Sequence, residues 1–224
     1  FEQRHFTLTE PAKHNLGSIN QLIILDSSYI ELLGWEKNTT PSRKEIADLP
    51  IGLDALVFQT NHADATYQRL LKAGYPVNPV QDLSRPAKTN GLEQMARFKT
   101  VRFSRQPIAG LRIYFCEHLT PEAVWNPLYM THTNRAQSIH AIEINCPTSH
   151  PPEAVVKVFE DLLGLDAVHH TENDICYLPL RNTMLRFKLS THSTLPQINL
   201  VDIQAKNDLI SIHQNEIKLL TGVS

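Results

Sequence analysis

Apolar positions recur in two alternating rhythms, and a strand-then-helix phrase ending at a glycine occurs three times. The first phrase sets Leu53-Asp54-Ala55-Leu56-Val57-Phe58 as a strand and Asn61 as the helix cap. Tyr67, Leu70 and Leu71 then share one helical face, and Gly74 is the stop. The second runs from Ser138 to Ile144 as a strand and opens its helix at Pro151-Pro152. Val155, Val158, Phe159, Leu162 and Leu163 form the stripe, which stops at Gly164. The third has Ile198 to Ile203 as the strand, Asn207-Asp208 as the cap, Leu209, Ile212, Ile217 and Leu220 at helical spacing, and Gly222 as the stop.

After each of the first two helices come pairs of alternating or β-branched runs: Ala96 to Ser104 with Leu111 to Leu119, and Asp174 to Leu180 with Thr183 to Ser190. The unit therefore reads β-α-β-β-β, and the fold class is α+β. The opening, His5 to Thr9, Ser18 to Asp26 and Tyr29 to Trp35, reads as the strand part of such a unit without its helix. The organisation predicted is an incomplete βββ half-module over 1–36, a complete module over 53–119, a linker over 120–137, a second complete module over 138–190, and a βα half-module over 196–224. The two halves are complementary. Either the polypeptide is trimmed from a four-module protein, or the final βα completes the opening βββ. The aggregation hazard of an unpaired curved-sheet edge favours trimming.

Composition narrows the partners. With 42% hydrophobic and 20% charged residues, the chain falls in the globular range. Its 21 basic and 23 acidic residues give a net charge of −2, so it offers no electrostatic footprint for nucleic acid or an anionic membrane. Apolar runs of four or five residues are far short of the about 20 that span a bilayer. These features predict a soluble cytoplasmic protein, and they leave a small-molecule ligand and a homodimer open as partners. Cys116, Cys146 and Cys176 form no C-x-x-C pair and read as buried reduced thiols. No P-loop, dinucleotide fingerprint, nucleophile elbow or H-E-x-x-H occurs, which removes nucleotide binding, elbow-type serine hydrolysis and zincin chemistry.

Two stretches carry a family resemblance. His14-Asn15-Leu16-Gly17-Ser18-Ile19-Asn20 followed by Tyr29-Ile30-Glu31-Leu32-Leu33-Gly34, and Phe115 to Trp125 followed by His132-Thr133-Asn134, resemble glyoxalase-like proteins of the vicinal oxygen chelate superfamily. The resemblance implies repeated βαβββ modules paired into cupped mixed β-sheets with helices packed on the outside. It also implies metal ligands drawn from the first and fourth strands of paired modules. Isomerases, lyases, dioxygenases and non-catalytic binding proteins all use this architecture.

Candidate chemistry follows from strand position. Glu31, between Ile30 and Leu32, occupies the family's fourth-strand slot and faces opposite to both neighbours. It is a candidate metal ligand and catalytic carboxylate, the alternative being a solvent-facing edge residue. His140, third in its strand among apolar neighbours, reads as a semi-buried imidazole and a candidate first-strand metal ligand, or else as a core histidine. The metal implied is divalent: Zn, Ni, Mn, Fe or Mg. The corresponding slots elsewhere hold Ala55 and Asn199, so no complete ligand set is visible. Glu117 and His118 are adjacent, so only one can enter the cup. Whichever enters is a candidate catalytic base or ligand, unless the pair anchors the following turn. His14 and Asn20 form a polar cluster around Gly17, for ligand binding or for loop order. Arg85, Arg97 and Arg102 surround a segment long enough to serve as a lid, where an arginine could pair with a carboxylate or phosphate of a small substrate, Arg97 being the candidate contact, the alternative being ordinary surface arginine. Trp125, Tyr129 and His132 either wall a pocket or join modules. Three functions remain: a metal-assisted enzyme on a small oxygen-bearing substrate, a binding or sequestering module of the same fold, and a structural assembly.

Overall fold

The computed structural model describes residues 1–36, 41, 51–89 and 91–214. Three short strands, β1 (Ala12–Lys13), β2 (Ile19–Ile24) and β3 (Tyr29–Gly34), form an antiparallel sheet in the order β1-β2-β3. A βαβββ unit follows: β4 (Ala55–Gln59), α1 (Ala63–Lys72), β5 (Gln81–Thr89), β6 (Leu92–Arg102) and β7 (Arg112–His118), with strand order β4-β7-β6-β5. A second such unit comprises β8 (Ala136–Cys146), α2 (Pro152–Leu163), β9 (His170–Glu172), β10 (Ile175–Pro179) and β11 (Met184–Leu189). The hairpin β12 (Gln197–Ala205) and β13 (Asp208–His213) extends it to a six-stranded sheet in the order β13-β12-β8-β11-β10-β9. In both units the crossover strands pair in parallel, β4 with β7 and β8 with β11.

Three local expectations change. The third phrase is a β-hairpin, because Ala205 pairs with Asp208 across a two-residue turn and Ile210 and Ile212 alternate with Leu209, Ser211 and His213 at period two. Leu209 and Ile212 satisfy either period, and the open edge of β12 decides for the strand. Ile217, Leu220 and Gly222 lie outside the described residues. In the opening segment the short first strand lies at Ala12–Lys13 rather than His5 to Thr9, and Thr9 instead brackets Leu22 by accepting from its N–H and donating its own to its carbonyl. The stretch flanked by Arg85, Arg97 and Arg102 is the long β5-β6 hairpin rather than a lid loop.

The helical faces of both units build one continuous core. Leu56, Leu70, Ile113 and Phe115 of the first unit join Ile144, Val155, Phe159 and Phe187 of the second. Arg69 on α1 donates to the carbonyls of Asp161 (3.3 Å) and Leu162 (2.6 Å) in the last turn of α2, where a cation also meets the negative end of the helix dipole. The Tyr75 hydroxyl donates to the Asp161 carboxylate.

The units also meet at Gly110, whose φ is 89° and whose missing Cβ would fall 2.5 Å from the Pro196 carbonyl oxygen. Gly74, at φ 86°, has open space around that position. Gly74→Ala is therefore expected to cost about 1–2 kcal/mol, the left-handed penalty alone. Gly110→Ala should cost distinctly more, and equilibrium urea denaturation of the two variants gives the comparison.

Candidate functional site

The alternation of β5, β6 and β7 sends one set of side chains toward α1 and the opposite set toward β2 and β3. Registered pairs place Tyr114, Cys116 and His118 of β7 opposite Arg102, Thr100 and Phe98 of β6, and Leu83 and Arg85 of β5 opposite Phe98 and Ala96. From the other side, Leu22 and Ile24 of β2 pair with Glu31 and Tyr29 of β3. These faces meet across a second apolar cluster of Leu22, Ile24, Ala96, Phe98, Cys116 and Val124, with Tyr29 and Trp125 packed on it.

Polar groups are set into this apolar hollow. Glu31 is half-buried, and its Oε1 accepts from Asn20 Nδ2 at 2.8 Å. The Tyr29 hydroxyl and His118 Nε2 lie 3.2 Å apart, and the His118 ring is 4.9 Å from the Trp125 ring. Burial and then the positive charge of Arg85 press the His118 imidazole down to about 4, so it is neutral at physiological pH. Burial lifts Tyr29 and Tyr114 well above the ordinary phenol range, with Glu31 adding to both, so they stay protonated. Burial, reinforced by Glu31, pushes the Cys116 thiol up to about 12, which leaves it without thiolate character. Arg85 is 5% exposed, and among the described residues its only hydrogen bond runs from Nη1 to the Pro86 carbonyl at 3.2 Å.

The sequence-derived candidates divide accordingly. Glu31, Asn20, His118 and Trp125 come together at the hollow. Of the adjacent pair, His118 turns inward and Glu117 outward, where Glu117 Oε2 accepts the Ala63 N–H at 2.7 Å and caps α1 in place of the expected Asn61. A catalytic place for Glu117 is thereby corrected. Glu117→Ala should lower stability by about 1 kcal/mol in chemical denaturation and leave ligand binding at the hollow unchanged.

Arg97 pairs with Ser84 on the opposite face of its strand and is exposed, so it does not reach the hollow. His140 is exposed rather than semi-buried. It is the extra residue of a β-bulge between the pairs Ile139 with Ile203 and Ala141 with Asp202, which breaks the alternation assumed for it. Asn199, also at a bulge, donates to Glu143 in the same six-stranded sheet. His132 is buried, accepting the Thr7 N–H at Nδ1 (3.1 Å) and reaching the Ile24 carbonyl from Nε2 (2.8 Å), so both ring nitrogens are spent joining segments. His14 is buried with Nδ1 3.0 Å from Ser18 Oγ in a turn closed by the Gly17 N–H.

Tyr29 and Tyr114 are the residues that sequence reasoning left out of the site, and Arg85, read there as one of three arginines around a lid segment, enters it in place of Arg97. The period-two runs Tyr114-Cys116-His118 and Leu83-Arg85-Ala87 contain the signal, since each places its members on one face.

The donor set does not suit a divalent cation. Among the described residues, no three His, Cys, Asp or Glu side chains come together. Around Glu31 stand protonated phenols and a thiol, with a guanidinium close enough to feel its charge, while Nε2 of His118 faces a hydroxyl.

Beside the hollow opens a cleft of about 200 Å³, lined among others by Ala12, Lys13, Arg85, Lys88, Asn126 and Tyr129. Arg85 belongs to both. No helix among the described residues is long and apolar enough to cross a membrane.

Known proteins share the fold. A hypothetical protein from Staphylococcus aureus shares the fold at a TM-score of 0.67, with 15% identity over 94% of this chain and 91% of that one. A mutant 4-hydroxymandelate synthase from Streptomyces coelicolor matches at a TM-score of 0.42 and 11% identity, over 89% of this chain and 56% of that one. No curated protein sequence matches. A family model described as "Glyoxalase-like domain" matches residues 1–163. Residues 1–163 being well over half of its 224, the chain belongs to the glyoxalase-like domain family.

Proposed function

We propose that this glyoxalase-like domain binds a small oxygen-bearing molecule at the hollow between β2-β3 and β5-β7, and that protein groups rather than a metal ion hold it. One observation carries the reading: Arg85 Nε, His118 Nδ1 and Trp125 Nε1 are buried without a hydrogen-bond partner on the walls of the same hollow. A buried polar group without a partner costs about 1–3 kcal/mol, and a ligand that satisfies it recovers that cost. The family's metal-assisted reading draws support from Glu31 facing inward but lacks companion ligands among the described residues.

The test is ligand-induced thermal stabilisation of chelator-treated protein against small carboxylates, diols and thiol adducts, with elemental analysis alongside. Stabilisation that persists in chelator supports the binding module. Stabilisation that appears only after Zn, Ni, Mn, Fe or Mg is restored overturns it in favour of a metal-dependent enzyme.

A second reading, catalysis at the same place, is favoured by the neutral His118 imidazole in the tautomer that donates from Nε2 to the Tyr29 oxygen and leaves Nδ1 open to a proton. Together with Glu31 it supplies the groups able to accept a proton from a bound substrate.

A further inference from the structure

The orphaned atoms have a common sense of polarity. An arginine Nε and an indole Nε1 can only donate. When the Tyr29 hydroxyl donates to His118 Nε2, the neutral imidazole carries its proton on Nδ1 and becomes a third donor. Three open donors on one apolar wall ask for an acceptor-rich ligand.

The charge of Arg85 sharpens this. The residue is 5% exposed, and among the described residues its guanidinium holds a single hydrogen bond, to a main-chain carbonyl. Glu31 attracts it through space but makes no direct ion pair with it. A buried cation without a contacting anion is costly, and arginine cannot escape by losing its proton. Arg85 also faces the cleft, where Lys13 and Lys88 stand against Glu10 and Glu93. Lys13 is itself held by Glu36 at 2.6 Å, and among the described residues Arg85 is the buried cation, with no ion pair.

We infer that the ligand of this site is a small oxyanion, a carboxylate or a phosphate monoester, entering by the cleft to pair with the Arg85 guanidinium and to accept from Trp125 and His118. The inference rests on the binding reading above and names the chemical class of its ligand. Glu31, braced by Asn20, lies beyond Arg85 and repels a second negative charge, which favours an anion bearing hydroxyl or carbonyl oxygens over a dicarboxylate.

Matched probes test it on the intact chain: lactate against lactamide, and glycerol 3-phosphate against glycerol, each titrated calorimetrically into the parent protein, Arg85→Met and Arg85→Lys. The parent is expected to prefer the anion of at least one pair, and the preferred pair separates carboxylate from phosphate. Arg85→Met should weaken that anion roughly 10–100-fold, the loss of a charge-assisted hydrogen bond, and leave the neutral counterpart unchanged. Arg85→Lys should keep part of the preference. Ligand-free Arg85→Met should be at least as thermally stable as the parent, because the uncompensated charge is gone.

Neutral probes binding as well as anions overturn the oxyanion inference and leave the binding reading standing, and this comparison on the parent holds even where Arg85→Met fails to fold. An Arg85→Met variant that folds, is destabilised and keeps its anion preference also overturns it. Binding of neither class, here and across the wider ligand panel, overturns both.

Discussion

Phe159→Ala should lower the unfolding free energy by about 3–5 kcal/mol, a large part of the roughly 5–15 kcal/mol that holds a domain folded. Phe159 is fully buried on α2, and its ring lies 5.2 Å from that of Phe187 on β11 and 6.1 Å from that of Phe58 on β4. It therefore belongs to the cores of both βαβββ units at once. Truncation opens a cavity between two sheets whose separation is fixed by other contacts, among them Arg69 on the end of α2, so little collapse can repair it. Equilibrium urea denaturation should show one transition shifted to lower denaturant. A loss below about 1 kcal/mol, less than an ordinary large-to-small core substitution, would mean that the two units do not share this core.

The second large effect is a pH window set by His118. In the unfolded chain its imidazole takes a proton near 6.5, whereas in the fold burial, followed by the charge of Arg85, holds it down to about 4. Above pH 6.5 the group is neutral in both states and costs nothing. As pH falls from about 6.5 to about 4, only the unfolded chain gains the proton, so stability is lost progressively. The full difference is about 3 kcal/mol, and below pH 4 both states are charged and the dependence ends. Unfolding free energies measured between pH 4 and 7 should fall more steeply for the parent than for His118→Gln, which cannot titrate. Parallel curves would place His118 in contact with water.

The two helices and the strand pairs after them were legible in the sequence because glycine stops and apolar stripes are local signals. The helices ending at Gly74 and Gly164 and the paired strands that follow them come directly from spacing. The hairpin at Ala205–Asp208 was not, since Leu209 and Ile212 fit either period and the deciding partner, β12, pairs with residues some sixty positions away in β8. His140 was misplaced for a related reason: a bulge depends on two strands and leaves no mark on one.

The site was half legible. Glu31 and His118 follow from alternation once the cup is assumed, but the choice between Glu117 and His118 turns on which face α1 covers. Arg85 shows the same limit. Charge and flanking proline suggest a surface residue, and only the packing of β1 and of the segment after β7 around the β5-β6 hairpin buries it.

Donors left open on an apolar wall demand an acceptor, and the indole N–H of Trp125 reports one directly. In a nitrogen–proton correlation spectrum of the chelator-treated protein, the two tryptophan side chains, Trp35 and Trp125, give separate signals, assigned with Trp125→Phe. Titration with the anion that calorimetry prefers should move the Trp125 resonance saturably downfield and leave Trp35 in place. A Trp125 signal that stays fixed while the protein becomes saturated would contradict binding at this hollow.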